Sequence, residues 1–559
     1  MRSRSLVGVL VAFGVLLIWL YTFRQRLPYM DQIPVFDADV TTAAANMWAR
    51  IWWDEGARNL WLSTPRAPLS IETPTLAART LYESWPPGAF IPIYFAAAFL
   101  GLEPSVPLVN WVNTILHGLI ALAAAFIAFN LALQNRLSSA SSGLIAVAVA
   151  FPILLSRGLI YSFSQIYDVV TAVLIYTTIF LLLEVLFYGA TTQRDKWIIT
   201  ALQLVTICCA FFVDWLSYTL FAFWIVSRVV AGYLDIEPRM TSRRLVGLAL
   251  LPVCSFSTYL IWRIFAPGSL ANTEGLAYSL WQLGSKILQR MNLTSDSPID
   301  GFAKVFFQSM HQDYYSQYAF PLIAVSALVT LALLVVSFRR TDGPSERRSI
   351  FAAMSILALV TIPFYLHMIV FYQHTFIHRW AITKAMFAYA LIPFALLPIG
   401  VFVLVRQQLG QSKASFQGSG LVVIGLLLAI CALCYAVYVT RYDSYPLMGR
   451  VDRNTYLMWD DIGRNTVYKD VVVSPALEAR PISVQVGTAY KLVHHADNFA
   501  DVDEVVARVC GDFNVVVALP KGSQPGEFAS REPAQVIDTG RIRLLRFASY
   551  QGKAVDCPR

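Results

Sequence analysis

The sequence predicts an all-α polytopic membrane domain followed by a small α/β domain. Three observations predict it. Of 559 residues, 57% are hydrophobic and only 14% charged, whereas a water-solvated domain carries roughly 25% charged residues. Uncharged runs at 5–23, 385–405 and 421–440 approach the ~20 residues that cross a bilayer. One polar segment, 441–559, is long enough for a soluble domain. The same facts exclude a disordered chain, a collagen, a disulfide mini-protein and a porin-type barrel, whose strands would read as short alternations.

Twelve apolar stretches are candidate spans: 5–23, 88–101, 107–133, 140–156, 166–188, 197–212, 213–231, 245–265, 319–338, 349–372, 381–405 and 419–440. Arg2 and Arg4 precede the first, which runs on through Leu17-Ile-Trp-Leu-Tyr without a small-residue cleavage site; it reads as an uncleaved span. The run 88–101 is short. The stretch 197–231 is 35 residues, long for one span and short for two, with Asp214 in its middle. Residues 1–440 thus form the transmembrane domain, interrupted by polar loops 24–87 and 266–318, and 441–559 form the second domain.

Arginine sets the orientation. The loops 228–244, with Arg228, Arg239, Arg243 and Arg244, and 339–348, with Arg339, Arg340, Arg347 and Arg348, are two spans apart and share a side. Their charge makes that side cytoplasmic. Segment 266–318, the loop 373–380 and the tail then lie outside. The net charge of +8 serves topology and lipid headgroups, with no nucleic-acid footprint.

The outer loops hold amphipathic stripes. Val40, Ala44, Met47, Trp48, Ile51 and Trp52 recur at helical spacing, as do Leu276, Leu280, Leu283, Ile287, Leu288 and Met291, and then Phe302, Val305, Phe306 and Met310. Each stripe either lies in the membrane interface, where Trp is favoured, or packs on the membrane domain. In the tail, 470–474 and 513–520 read as strands, 500–510 as the helix between them, and 542–547 as a further strand, which makes an α/β domain. No glycine-rich phosphate loop is present in it.

Acids near a span are costly and therefore functional candidates. Asp37-Ala-Asp39 is a D-x-D just before the first stripe. Its carboxylates suit proton abstraction from a hydroxyl, or a divalent cation held by two of them; the structural alternative is that Asp39 caps the following helix. Glu83-Ser-Trp85-Pro86-Pro87 leads into the second stretch. Prolines suit a helix's first turn, and an acid and an aromatic just outside suit a sugar-binding rim. Tyr372-Gln-His374 through His378-Arg379-Trp380 to Lys384 places cations where a lipid phosphate would be neutralised; the alternatives are a histidine metal pair or snorkelling anchors. Lys286, Arg290 and Lys304 are further phosphate candidates. Asp168 and Asp214 sit at span edges, each a possible partner for a cation, and His117 and His367 read as hydrogen-bonded core residues. Five cysteines lie in apolar spans. Cys510 and Cys557, the only two in the tail, form a disulfide if the tail is external.

One span, an outer loop with D-x-D and an amphipathic helix, an aromatic-Pro-Pro motif, many spans and an outer C-terminal domain resemble the GT-C fold of membrane glycosyltransferases. The likeness is to the branch with protein O-mannosyltransferases and the lipid A aminoarabinose transferase. It covers residues 1–440 in layout and 31–100 in motif. The resemblance implies an odd number of spans, 11 or 13, with an internal N-terminus and the 24–87 loop outside, in the cell (inner or plasma) membrane. It implies Asp39 as catalytic base with Asp37 as partner, a polyprenyl-phosphate sugar as donor, and a glycan, lipid or protein as acceptor. His374, His378, Arg379 and Lys384 would meet the donor phosphate, and no nucleotide-sugar fold is needed. The sequence departs from the family where Val40 follows Asp39 and where Asp214 stands in place of a frequent basic residue. Those departures leave Asp39, Asp37 and the Asp54-Glu55 pair open as the base. A secondary transporter, with mid-membrane sites on repeated halves, and a non-catalytic assembly protein of envelope glycan synthesis are the alternative classes.

Overall fold

A computed structural model describes residues 2–30, 38–65, 81–82, 86–293, 303, 305–315, 318–409, 453–467, 470–475, 493–507 and 512–551. The chain divides into two compact units, one of residues 1–28, 113–259 and 284–445, the other of residues 29–112, 260–283 and 446–559.

The membrane helices appear where the apolar runs place them. They are α1 (Arg2–Arg26), α4 (Val106–Gln134), α7 (Val169–Gly189), α9 (Leu216–Tyr233), α10 (Ser242–Phe265), α12 (Ala319–Arg340), α13 (Pro344–Val370) and the span Arg379–Gln408. Between them lie α2 (Ala38–Glu55), α3 (Ile91–Leu100), α5 (Ser139–Leu155), α6 (Arg157–Gln165), α8 (Gln193–Phe211) and α11 (Leu276–Arg290). Among the described residues, eight helices are long and apolar enough to cross a bilayer, nine with the pair α5 and α6, which bends by 66° at Ser156. A tenth helix, α8, runs back along α7, although Arg194, Asp195 and Lys196 in its first turn lower its apolarity. The 35-residue stretch is therefore two helices, α8 and α9, broken at Phe212–Trp215.

Two sequence expectations shift. The run 88–101 forms only the ten-residue α3, about 15 Å long and half a bilayer, ended by Gly101 at φ 64°, a left-handed turn that glycine adopts without strain. The third stripe winds as a π-turn over Val305–Met310 instead of an ordinary helix, and the last span opens with a 3-10 stretch, Arg379–Ala385, and widens into a second π-turn over Ile392–Leu396, where Pro393 lacks an amide hydrogen. The candidate span 419–440 lies outside the described residues.

In the first unit, ionic contacts gather the loops at two ends. At one end Glu237 binds Lys196 at 2.8 Å and Arg348 at 2.7 Å. Arg406 pairs there with Glu346 and donates to the Asn135 carbonyl. The turns after α4, α7, α9 and α12 thus meet, so the two arginine-rich loops share an end, as the charge pattern requires. The residues around 156–168, 212–215, 310–315 and 372–385 gather at the other end.

In the second unit, α2 buries its tryptophan face in protein. Trp48 and Trp52 are 4% and 0% exposed. Their indoles donate to the carbonyls of Pro65 and Ser63, and Trp48 packs edge-on to Phe90 at 4.4 Å. The tail holds a five-stranded sheet in the order β2-β1-β3-β5-β4, with β1 Asp470–Ser474, β2 Val493–His495, β3 Asp512–Pro520, β4 Gln535–Asp538 and β5 Ile542–Gln551. β1 runs parallel to β2 and β3, while β5 is antiparallel to β3 and β4. The valine run of β1 is buried on both faces, as a central parallel strand requires. One face packs on Phe499 and Val502 of α15 (Phe499–Val506), the other on Trp459 and Ile462 of α14 (Arg453–Asn465). Strand β1, β3, β5 and the intervening helix were legible in the sequence; the short edges β2 and β4 were not. Cys510 and Cys557 lie outside the described residues.

Candidate functional site

The polar side chains gather at the end of the first unit where α7 and α9 begin. Asp168 caps α7. Its Oδ1 accepts the amides of Val170 at 2.8 Å and Thr171 at 3.1 Å, and the Thr171 hydroxyl accepts the Asp168 amide in return. This reciprocal capping box explains why an acid stands at that span edge. The other oxygen, Oδ2, accepts the Trp380 indole N–H at 2.6 Å. Burial raises the Asp168 carboxyl to about 6, against the Trp380 bond, the two amides and the charge of Lys384, all of which lower it.

Asp214 occupies the break between α8 and α9. It accepts the Leu216 amide at 2.6 Å, and its carboxylate meets the Lys384 ammonium at 3.0 Å. Lys384 Nζ also lies 3.1 Å from His367 Nε2. All three side chains are buried, with Asp214 and Lys384 at 0% and 1% exposure. The acid that departs from the family pattern is thus matched by a lysine from another segment. Lys384 is an internal counter-ion here, and Arg379 is exposed at the same turn.

Two histidines and Arg379 form a rim at the same turn. His374 and His378 face each other at 4.5 Å between ring centroids, and His378 packs on Trp380 at 4.7 Å. Burial, then the charges of His378, Arg290, Lys384 and His367, hold His374 well below the ordinary imidazole range. It is therefore neutral at pH 7. Asn292 donates to the Tyr372 hydroxyl, which ties segment 266–318 to this turn. Of the cations of that segment, Arg290 acts by its charge on His374, and Lys304 lies outside the described residues.

Sequence reasoning missed His311 and Tyr315. Tyr315 donates to the Ile382 carbonyl at 2.9 Å. His311 bonds the Phe306 carbonyl at 2.8 Å and lies 3.1 Å from the Tyr365 hydroxyl; burial lowers it to about 4, although the Phe306 carbonyl raises it. A signal existed in the π-turn beside them, a distortion common at functional sites, but it is invisible in apolar spacing. His117 is a core histidine, as read: it is buried, bonds the Ile153 carbonyl at 2.8 Å and lies 2.6 Å from Arg26 Nη2.

In the second unit, Asp39 falls in the first turn of α2, and Asp37, Glu83 and Trp85 lie outside the described residues. Pro86 is extended at φ −64° and ψ 154°, and Pro87 opens the buried turn Pro87–Ala89 before α3. The prolines thus start a helix, and Phe90 and Tyr94 beyond them pack on Trp48 and Trp52 of α2. The D-x-D helix and the Pro-Pro motif are one packed element. Asp54 is engaged by Arg50 at 2.8 Å on the helix exterior. Among the described residues no three His, Cys, Asp or Glu side chains converge as a metal site.

No protein-family model and no curated protein matches the sequence. Solved structures similar to the chain include the Archaeoglobus fulgidus oligosaccharyltransferase tethered to an acceptor peptide, at 11% identity and a TM-score of 0.49, over 92% of this chain and 69% of that one. The same archaeal enzyme, AglB, with an inhibitory peptide and a dolichol-phosphate gives 10% identity and 0.47, over 92% and 69%. ArnT from Cupriavidus metallidurans, bound to undecaprenyl phosphate, gives 10% identity and 0.46, over 99% of each chain.

Proposed function

We propose that the chain is an integral-membrane glycosyltransferase that moves a sugar from a polyprenyl-phosphate donor to an acceptor hydroxyl on the outer face of the membrane. The observation that carries this reading is the rim built by Arg290, His374, His378 and Arg379, held by the Asp168–Trp380 bond and the Asp214–Lys384 pair. Such a rim suits a phosphate leaving group. In this reading Asp39, partnered by Asp37, takes the acceptor proton. The hydroxyl oxygen bonds to the anomeric carbon, the bond from that carbon to the phosphate oxygen breaks, and the lipid phosphate leaves with its charge met by Arg290 and Arg379. Glu83, Trp85, Pro86 and Pro87 are substrate-binding residues in the same reading. The arginine-rich end is cytoplasmic in this scheme, which puts the N-terminus inside and the C-terminal domain outside.

The test is sugar transfer by the purified protein in nanodiscs. Polyprenyl phosphates, the lipids bound in AglB and ArnT, are the first donor class to load with a panel of sugars. Asp39→Asn lowers turnover by about 10²–10⁴-fold, the usual worth of a positioned base, with unfolding temperature unchanged. Wild-type turnover in that variant moves the role to Asp37 or Asp54, and no transfer from any donor by the wild type overturns the reading. Chelation of divalent cations in the same assay decides whether the D-x-D acts with a metal.

A further inference from the structure

Of the apolar stripes read in the sequence, that of α2 is buried, whereas that of α11 leaves Leu276 and Leu280 exposed. The first half of α11, Leu276–Leu283, is fixed from one side. Arg263, near the end of α10, is fully buried; its Nε donates to the Ser279 hydroxyl at 3.1 Å and its Nη2 to the Ser279 carbonyl at 3.0 Å. This clamp turns Ser279 and Leu283 inward. The remaining apolar side chains face out: Trp281 is 62% exposed, Leu276 48%, Leu280 44% and Tyr278 41%. Tyr278 and Trp281 stand together, 5.9 Å between ring centroids.

The outward face adjoins the end of a helix that is long and apolar enough to cross a bilayer. α10 is a membrane span, and Ile261 and Phe265, one turn apart at its end, are 56% and 60% exposed. Beside them Trp262 donates to the carbonyl of Trp61, itself 57% exposed. The last turn of a span lies at headgroup depth, where Trp and Tyr are favoured. A helix clamped to that turn, with an aromatic-aliphatic face, no acidic residue, and Lys286 and Arg290 further along, has the composition of a helix lying in the interface plane.

We propose that Leu276–Leu283 is an interfacial lipid-binding element, with Tyr278, Leu280 and Trp281 embedded at the boundary between headgroups and acyl chains and Arg263 setting its orientation. The role does not depend on the transferase reading.

The test uses the full chain in nanodiscs of mixed phosphatidylcholine and phosphatidylglycerol. A keto amino acid at position 281, and separately at 278, carries a nitroxide, so that the native cysteines stay intact. Val253, an exposed residue of α10, supplies the acyl-chain reference and Glu527 of the C-terminal domain the water reference. The expected oxygen-to-nickel collision ratio at both sites is several-fold above that at Glu527 and below that at Val253. A ratio equal to that at Glu527 at both sites overturns the proposal. So does shielding from both reagents with a discrete distance between labels on two chains, which would make the face a contact between copies.

Discussion

Glu184 and Asp214 are both buried acids of the first unit, and they are held in different ways. Glu184 accepts Arg228 at 2.6 Å, Gln203 at 2.9 Å and the Trp224 indole at 2.9 Å on one oxygen, and the Ser355 hydroxyl at 3.3 Å on the other. These donors stand on α8, α9 and α13 around an acid of α7, and the Arg228 guanidinium lies 3.4 Å from the Phe187 ring centroid. Asp214 has one amide of its own helix start, one lysine and His367 Nε2 at 3.7 Å, and the neighbouring Asp168 has two amides and one indole. Lys384 and that indole both come from the segment 379–385. The first carboxylate is saturated by the packing of four helices. The other two hang on one short turn beside the histidine rim, and a shift of that turn changes both together. The contrast separates a lock from a site: both kinds of acid are rare in a membrane, and the number and origin of the donors tell them apart.

The sharpest way to break the comparison is Arg228→Met. It leaves Glu184 buried without its counter-ion, which costs about 3–5 kcal/mol and should appear as a large fall in unfolding temperature in detergent. A loss of less than 1 kcal/mol, on the scale of an exposed pair, would show that the four-helix network is not a lock. Lys384→Met removes a charged partner from Asp214 and is expected to cost about 1.5–3 kcal/mol. Adding Asp214→Asn should recover most of that loss, because the buried charge goes with it; additive losses would mean the pair does not act as a unit.

The smallest effect concerns pH. Asp168 sits at about 6, above the ordinary 3.8, so the folded state holds its proton more tightly than the unfolded chain. Its contribution to stability is fully present below about pH 4 and is lost as pH rises through about 6. The difference between wild type and Asp168→Asn should change over that window and be flat above it. A flat difference throughout would place the Asp168 carboxyl at its ordinary value.

The helical stripes of Trp48 and Trp52 and of Leu276, Leu280 and Leu283 could be read from spacing alone, because the 3.6-residue period puts such side chains on one face. What covers each face could not be read. Trp48 meets Phe90, and among the described residues Trp281 meets no ring beyond Tyr278, and that depends on contacts distant in the chain. The tail shows the same limit: the valine runs of β1 and β3 announce buried strands, while their parallel pairing is a matter of register between segments 44 residues apart, Asp470 beside Asn514.

By itself the sequence determined the membrane class, the helices, the grouping of the arginine-rich loops and the α/β tail. Each follows from local composition, since apolar length, charge and period act within a few turns of chain. Only the tertiary structure decided that 88–101 makes a half-length helix, that the third stripe winds as a π-turn and that Lys384 answers Asp214 across 170 residues. A buried charge is compensated by whatever group folding brings within about 3 Å, and proximity of that kind is a property of the packed chain.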